Sequence, residues 1–262
     1  MLNMRVQTKV TFFGTEAAIP ELGGETASFL INDEVMVDTG WNIVENLRRH
    51  GIDPGSIRYL LLTHMHHDHY ISLPSLLYYF LITNKDLSGL KILGPEEDLQ
   101  PIMDHTLEFL FLGRKFYPNR SYPTIIPLKP GDRYDDEHFH LETTSSLHPV
   151  QALCYKYTDK KTEKSVTFTG DTAYHPPIVD LARGSSLLIH EATYGASPAN
   201  PLKNGGLHSS AMDAAEVAKA AEVGQLALIH GLRRNIESSI QAAQSIYSGP
   251  VMWPAKDQTI LL

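Results

Sequence analysis

Six consecutive residues, His64-Met65-His66-His67-Asp68-His69, offer five metal-capable side chains and directly follow an apolar run, Tyr59-Leu60-Leu61-Leu62-Thr63. The apolar run reads as a short buried strand, so the histidines begin where a strand ends. Side chains alternate along a strand, which puts His64 and His66 on one side. Asp68 and His69 follow as the chain turns into Tyr70-Ile71-Ser72. One loop can therefore serve two adjacent cations, with two imidazoles for the first and a carboxylate plus an imidazole for the second. Neutral imidazole and carboxylate suit zinc and its first-row neighbours. A histidine tract can also be a solvated loop, a tag or a loose scavenger. A tag, however, sits at a terminus and lacks a buried strand before it. His67 falls between the paired positions and is expected to face away.

The chain has 262 residues, 42% of them hydrophobic and 20% charged, which describes an ordinary globule with a substantial core. Its formal net charge of −8 weighs against a polyanion as the main partner, without excluding a local basic patch. The N-terminal residues have no apolar core of the signal-peptide kind, and no apolar stretch is long enough to span a membrane. A cytoplasmic location is the expectation. The single cysteine, Cys154, cannot form an internal disulfide, and its strand-like setting predicts a small buried hydrophobe rather than a ligand or nucleophile.

The first half opens with strand signals at Val10–Phe13, Ser28–Ile31 and Val35–Asp38, the last two joined by a turn at Asn32-Asp33. A helix is predicted from Trp41 to His50, with Gly51 just past its end. The strand bearing the histidines follows, then a helix from about Leu73 to Thr83, a strand at Lys91–Leu93 and a helix from Asp98 to Leu112. Arg114 to Pro127, rich in Pro, Tyr and basic residues, reads as a surface loop. The second half repeats the pattern, with strands near 125–128, 138–145, 151–157, 165–169 and 187–189. An Ala-rich helix over Ser209–Val223, with Ser209 as N-cap, precedes a strand at Leu226–His230. A helix at Ile236–Tyr247 and a strand near Thr259–Leu262 end the chain. Two successive β-then-α halves predict an α/β architecture: two mixed sheets packed face to face with helices outside, forming one domain over residues 1–262.

More ligands are needed for two cations, and later strand ends supply them: His148 in Ser146-Leu147-His148, Asp171 in Thr169-Gly170-Asp171-Thr172, and His230 in Leu228-Ile229-His230. A lone strand-end histidine is usually structural. Three such residues at one sheet edge carry more weight.

H-x-H-x-D-H, a strand-end His, G-D-T and a final strand-end His together resemble the metallo-β-lactamase superfamily. Asp38-Thr39-Gly40 matches its early D-x-G element, which orients the metal loop rather than binding metal. The resemblance covers roughly residues 10–262 and implies an αβ/βα sandwich with the site at one sheet edge. It implies two divalent cations, zinc foremost, with manganese or iron as alternatives. The first would take His64, His66 and His148, and the second Asp68, His69 and His230, with Asp171 bridging them. Within the superfamily, His190-Glu191-Ala192-Thr193 resembles the H-E-A-T box of ribonuclease Z, the tRNA 3′-end endonuclease. His208-Ser209-Ser210 resembles that family's H-S-T box. The likeness implies that His208 assists catalysis with Glu191 beside it, while Asp68 steers or accepts the proton of the attacking water. A backbone-bonded helix-start histidine and an internal ion pair are the bland readings of His208 and Glu191.

Three departures stand out. The protruding arm with which ribonuclease Z grips tRNA is replaced by the seven residues Thr158–Lys164. No P-x-K-x-R-N element is present. The glycine expected soon after the histidine motif gives way to Tyr70-Ile71-Ser72. The leading expectation is a binuclear metal-dependent phosphodiesterase of ribonuclease Z type, in which an activated water attacks a small phosphodiester or an RNA 3′ end. The alternative is hydrolysis of a lactone, thioester or other carbonyl substrate at the same site. Oxygen or NO reduction would need a flavin partner domain, and a purely binding role fits least with a full ligand set. Arg114, Lys115, Tyr117, Arg120 and Tyr122 form one basic-aromatic cluster that could hold phosphate or be ordinary solvated loop. Arg233 or Arg234, close to His230, is the preferred anchor. The run Leu76–Ile82 suits a homodimer contact and core packing equally.

Overall fold

Strand β4 (Tyr59–Leu61) shows why the sequence reads as continuous apolar runs. Tyr59 and Leu61 pack into a core between two sheets, whereas Leu60 and the following Leu62 pack into a second core beneath helices. A strand covered on both faces needs apolar residues at every position. The computed structural model describes residues 7–110, 121–198 and 207–262, and all statements below concern these.

The first sheet orders β14 (Thr259–Leu261), β1 (Lys9–Gly14), β2 (Ser28–Ile31), β3 (Val35–Val37), β4, β5 (Lys91–Pro95) and β6 (Thr124–Leu128). The second orders β13 (Val251–Met252), β12 (Leu226–Ile229), β11 (Leu187–Glu191), β10 (Ser165–Phe168), β9 (Leu153–Asp159), β8 (Phe139–Ser145) and β7 (Arg133–Asp135). In each sheet one half pairs antiparallel and the other parallel. Aromatic contacts fill the space between them, including Phe29 edge-on to Phe168 and Tyr155 stacked on Phe168.

Helices α1 (Ile43–Arg49), α2 (His67–Tyr70), α3 (Leu73–Ile82) and α4 (Glu96–Phe109) follow strands of the first sheet. Helices α5 (Pro176–Ala182), α6 (Ala211–Ala220) and α7 (Ile236–Gln244) belong to the second half. Apolar clusters bury the outer face of each sheet beneath its helices. The expected two-sheet sandwich with helices outside is therefore what forms. Cys154 lies buried in the second outer cluster, where burial pushes its thiol up, as expected of a small core residue.

Several local expectations are corrected. The strand near 125–128 is β6, which extends the first sheet beside β5 instead of opening the second. The last strand, β14, likewise returns to the first sheet, against β1. The Arg114–Pro127 segment holds strand residues from Thr124 onward, while Arg114, Lys115, Tyr117 and Arg120 lie outside the described residues. Ser210, not Ser209, caps α6: its hydroxyl accepts from the Asp213 N–H, and Asp213 accepts in return from the Ser210 N–H. In α3, Leu76, Leu77 and Phe80 are buried in the core while Tyr78 and Ile82 are exposed. No helix among the described residues is long and apolar enough to cross a membrane.

Candidate metal centre

Both sheets present the C-terminal ends of strands at one edge, and the edge is stitched shut in two places. His64 bridges to Ala152, with the Leu153 N–H donating to the Thr63 carbonyl at 2.9 Å. Glu16 bridges to both Thr26 and Gly231. Gly170 lets the β10 end approach this seam. It adopts φ +57°, and a Cβ there would fall 2.6 Å from the Thr63 Cβ. The next residue, Asp171, is thereby pressed against the histidine loop.

Two groups of donor atoms converge here. His64, His66, His148 and Asp171 form one, and Asp68, His69 and His230 the other, with the offered atoms of each group lying within 4.8 Å of one another. Asp171 sits between them. Its Oδ2 is 3.8 Å from His64 Nε2 and 3.5 Å from His230 Nε2, and its Oδ1 is 3.6 Å from His69 Nε2. Asp68 Oδ2 is 3.3 Å from both His69 Nε2 and His230 Nε2. The structure thus brings together all seven residues expected to be ligands. His67 is exposed and packs on the Tyr70 ring, outside both groups, as expected.

In His69, His148 and His230 one ring nitrogen is committed outside the donor groups, which aims the other inward. His69 Nδ1 donates to Asp38 Oδ2 at 2.8 Å, and His148 Nδ1 to the Leu207 carbonyl at 2.9 Å. His230 Nδ1 meets Thr193 Oγ1 at 2.9 Å, and that hydroxyl donates to Glu191 Oε2 at 2.6 Å. His230 adopts φ +57°, a left-handed conformation uncommon for a side-chain-bearing residue. Asp38 also accepts from the N–H and hydroxyl of Thr63, both at 2.8 Å, so the D-x-G carboxylate braces the loop without entering either donor group.

His64 Nε2, His69 Nε2 and Asp171 Oδ1 are buried without a hydrogen-bond partner. Buried polar atoms are normally paired, so these orphans, one in each donor group and one on the carboxylate between them, fit bound cations. Nitrogen and carboxylate donors in this number suit zinc, manganese or iron. Burial holds the His64, His66 and His148 imidazoles below their ordinary range, neutral and able to donate a lone pair. In the other group burial opposes charge, but carboxylates win. Asp171 and Asp38 hold His69 well above the usual range, and Asp171 and Asp68 raise His230. The same contacts keep Asp68 and Asp171 ionised. A cation there would take the place of those imidazole protons.

Beside both groups, His208 Nδ1 lies 2.9 Å from Glu191 Oε1 and 3.7 Å from Asp171 Oδ2. Burial works against its protonation, but the buried Glu191 carboxylate outweighs this and the imidazole is pushed up to about 8. Glu191 is fixed in turn: Oε1 accepts from the Thr172 N–H at 2.6 Å and Oε2 from Thr193. With Nδ1 engaged by Glu191, His208 has only Nε2 left to offer. Of the two preferred phosphate anchors, Arg233 is bound through Nε to Glu16 Oε1 at 2.6 Å, while Arg234 is exposed.

Sequence reasoning missed two residues that organise this edge. Thr193 links His230 to Glu191, and its place inside the H-E-A-T box was the available signal. Glu25 is buried, accepting through Oε1 from the Thr26 and Trp41 N–H groups and through Oε2 from the Asn42 and Asn46 side chains. Thr26 then donates to the Asp68 carbonyl at 3.1 Å.

The family described as the beta-lactamase superfamily domain matches residues 33–231 of this chain. The chain belongs to that family. Among beta-lactamase superfamily proteins, a ribonuclease Z from Pyrobaculum aerophilum is 26% identical, over 97% of this chain and 98% of the relative. The metallo-beta-lactamase fold protein YhfI from Bacillus subtilis superposes with a TM-score of 0.82 at 21% identity, covering 98% of this chain and 100% of that one. The short form of human tRNase Z gives a TM-score of 0.75 at 22% identity, covering 96% and 98%. Both structures share the beta-lactamase superfamily sandwich described above.

Proposed function

We propose that this protein is a metal-dependent phosphodiesterase of ribonuclease Z type, with His64, His66 and His148 holding one divalent cation, and Asp68, His69 and His230 a second. Asp171, within 3.8 Å of ring nitrogens in both groups, would be shared. Zinc is the first choice on donor chemistry. When bound, such cations polarise a phosphoryl group and make water acidic enough to attack at neutral pH.

The observation that carries this reading is the His208–Glu191 pair beside the donor groups. Hydrolysis of a phosphodiester breaks a P–O bond, and the departing oxygen needs a proton. His208, protonated near neutrality and held at Nδ1 by Glu191, can deliver one from Nε2. Asp68, whose Oδ2 faces His69 and His230 and would hold the second cation, can steer the attacking water and accept its proton at the other carboxylate oxygen, Oδ1. Water thus adds across one P–O bond, giving an alcohol and a phosphomonoester. Glu191, fixed by Thr172 and Thr193, supplies the charge that keeps His208 an acid. The relatives named ribonuclease Z and tRNase Z support phosphorus over carbonyl chemistry. A small substrate is favoured because the turn between β9 and β10 is only the residues Lys160–Lys164.

The test pairs metal analysis with turnover of bis(p-nitrophenyl) phosphate and of a chromogenic lactone. His208→Ala should keep its cations while phosphodiester turnover falls roughly 10²–10⁴-fold. Loss of cations along with activity would make His208 a ligand instead, and faster turnover of the lactone would move the protein to carbonyl chemistry.

A further inference from the structure

The loops that deliver the metal-centre residues also carry six exposed large apolar side chains: Ile19, Leu22, Trp41, Ile71, Leu147 and Tyr174. Backbone hydrogen bonds group them into three pairs around the edge. Leu147 and Tyr174 flank His148 and Asp171, and the Ala173 N–H donates to the Leu147 carbonyl at 3.0 Å. Trp41 and Ile71 lie beside His69, where the Thr39 N–H donates to the His69 carbonyl at 2.7 Å and the Ile43 N–H to Ser72 Oγ at 3.0 Å. Ile19 and Leu22 belong to the loop whose Ala17 N–H donates to Gly231, next to His230. Exposed apolar residues concentrated around a polar centre mark a binding surface.

Positive charge is scarce on the same edge. Among the described residues, the segments 15–27, 38–42, 62–72, 146–152, 169–175, 192–198 and 207–210 contain no lysine or arginine. Segments 230–235 and 253–258 add Arg233, Arg234 and Lys256. Arg233 is neutralised by Glu16, and Lys256 Nζ donates to the Gly23 carbonyl at 3.1 Å. Arg234 and Lys256 have no carboxylate partner among the described residues. A nucleic acid chain is held by several lysines and arginines on its phosphates, and among the described residues this mouth offers unpaired charge for about two.

We propose that the mouth selects a small phosphodiester bearing an aromatic group, stacked by Trp41 and Tyr174 within the apolar rim, in preference to a polyanion. This rests on the phosphodiesterase reading for its phosphoryl group, and binding is tested separately from chemistry. The chain has two tryptophans: Trp41 is 46% exposed and Trp253 8% exposed. Intrinsic fluorescence therefore reports on the rim.

Zinc-loaded protein is titrated with phenylphosphonate and with methylphosphonate, which carry the same phosphoryl group. Phenylphosphonate should bind roughly tenfold tighter or better, because its ring leaves water, and should shift the Trp41 emission. Trp41→Ala should lower that preference about three- to tenfold. Equal affinity for the two phosphonates would overturn the proposal. So would tighter binding of a short single-stranded RNA than of phenylphosphonate, with the steep salt dependence of a polyanion. If phenylphosphonate is preferred and bis(p-nitrophenyl) phosphate is not turned over, the aromatic mouth stands and the assigned chemistry falls.

Discussion

Asp38 adopts a left-handed conformation, φ +50°, and spends its buried carboxylate on Thr63 and His69. Strain of this kind costs on the order of 1–3 kcal/mol and persists where the surroundings over-determine it. What it secures here is one imidazole: with Nδ1–H held by Asp38, His69 can offer only Nε2 to a cation. Asp38→Ala should therefore weaken the binding of one of two cations by about 10–100-fold and leave the other near wild type. Competition with a chelator, read as two separate dissociation steps, measures this. Loss of both cations together, or of neither, would contradict the division of donors into two groups. At this scale the sequence was most legible where a residue carries its own signature. His64, His148, Asp171 and His230 follow strand ends, while His66 caps the short helix α2 that carries Asp68 and His69, so strand-end position and motif spacing locate them. Glu25 escaped because nothing local marks it. Its partners are N–H groups and amides from 26–46, and only the folded loops bring those donors to its carboxylate.

Elements were read well where their apolar pattern was long and badly where they were short or at an edge. Helix α1 lies inside the segment predicted from Trp41 to His50, and Gly51 ends it at φ +70°. By contrast β7 and β13, the two edge strands of the second sheet, have three and two residues and no alternation to detect. Strand β6 is predicted near 125–128 but joins the first sheet, and it holds Pro127, which its edge position tolerates. Helix α5 opens with Pro176-Pro177, a helix-start signal in a segment too short for an apolar period to stand out. The cap of α6 was displaced by one residue because both positions are serine. The structure divides the two: Ser210 caps with Asp213, while Ser209 Oγ donates to the Thr172 carbonyl at 2.7 Å, tying the helix start to the Asp171 loop. Ser210→Ala should cost about 1 kcal/mol, a Tm decrease of roughly 2–4 °C for a chain this size. Differential scanning calorimetry checks it, and an unchanged Tm would mean that the reciprocal Ser210–Asp213 bonds add nothing to the helix.

At the scale of the whole molecule, the two sheets repeat one design, and each must be fastened to the other at both edges. The metal edge is fastened by the His64–Ala152 and Glu16–Gly231 bridges. The far edge is fastened by Asp159, buried at the end of β9. Its Oδ2 accepts from Thr8 Oγ1 at 2.8 Å, just before β1, and from Asn32 Nδ2 at 2.8 Å, in the β2–β3 turn. Its Oδ1 accepts from the Lys161 N–H at 2.8 Å, so one carboxylate joins the first sheet to the β9–β10 turn of the second. Burial pushes its pKa up, but the bonds from Thr8, Lys161 and Asn32 outweigh this and hold it below the ordinary carboxylate range. A carboxyl depressed by folding stabilises the native state above its unfolded pKa, near 4, and that contribution is lost as the pH falls through the lower folded value. Asp159→Asn removes the charge and turns amide hydrogens toward donors. It should lower stability by about 1–3 kcal/mol at neutral pH. The gap from wild type should stay constant down to about pH 5 and close progressively below about pH 4, as the native carboxylate takes up its proton. Urea unfolding of both proteins across that range measures the gap directly. A difference that is the same at pH 7 and well below 4 would mean that shape, not charge, makes Asp159 the clasp between the sheets.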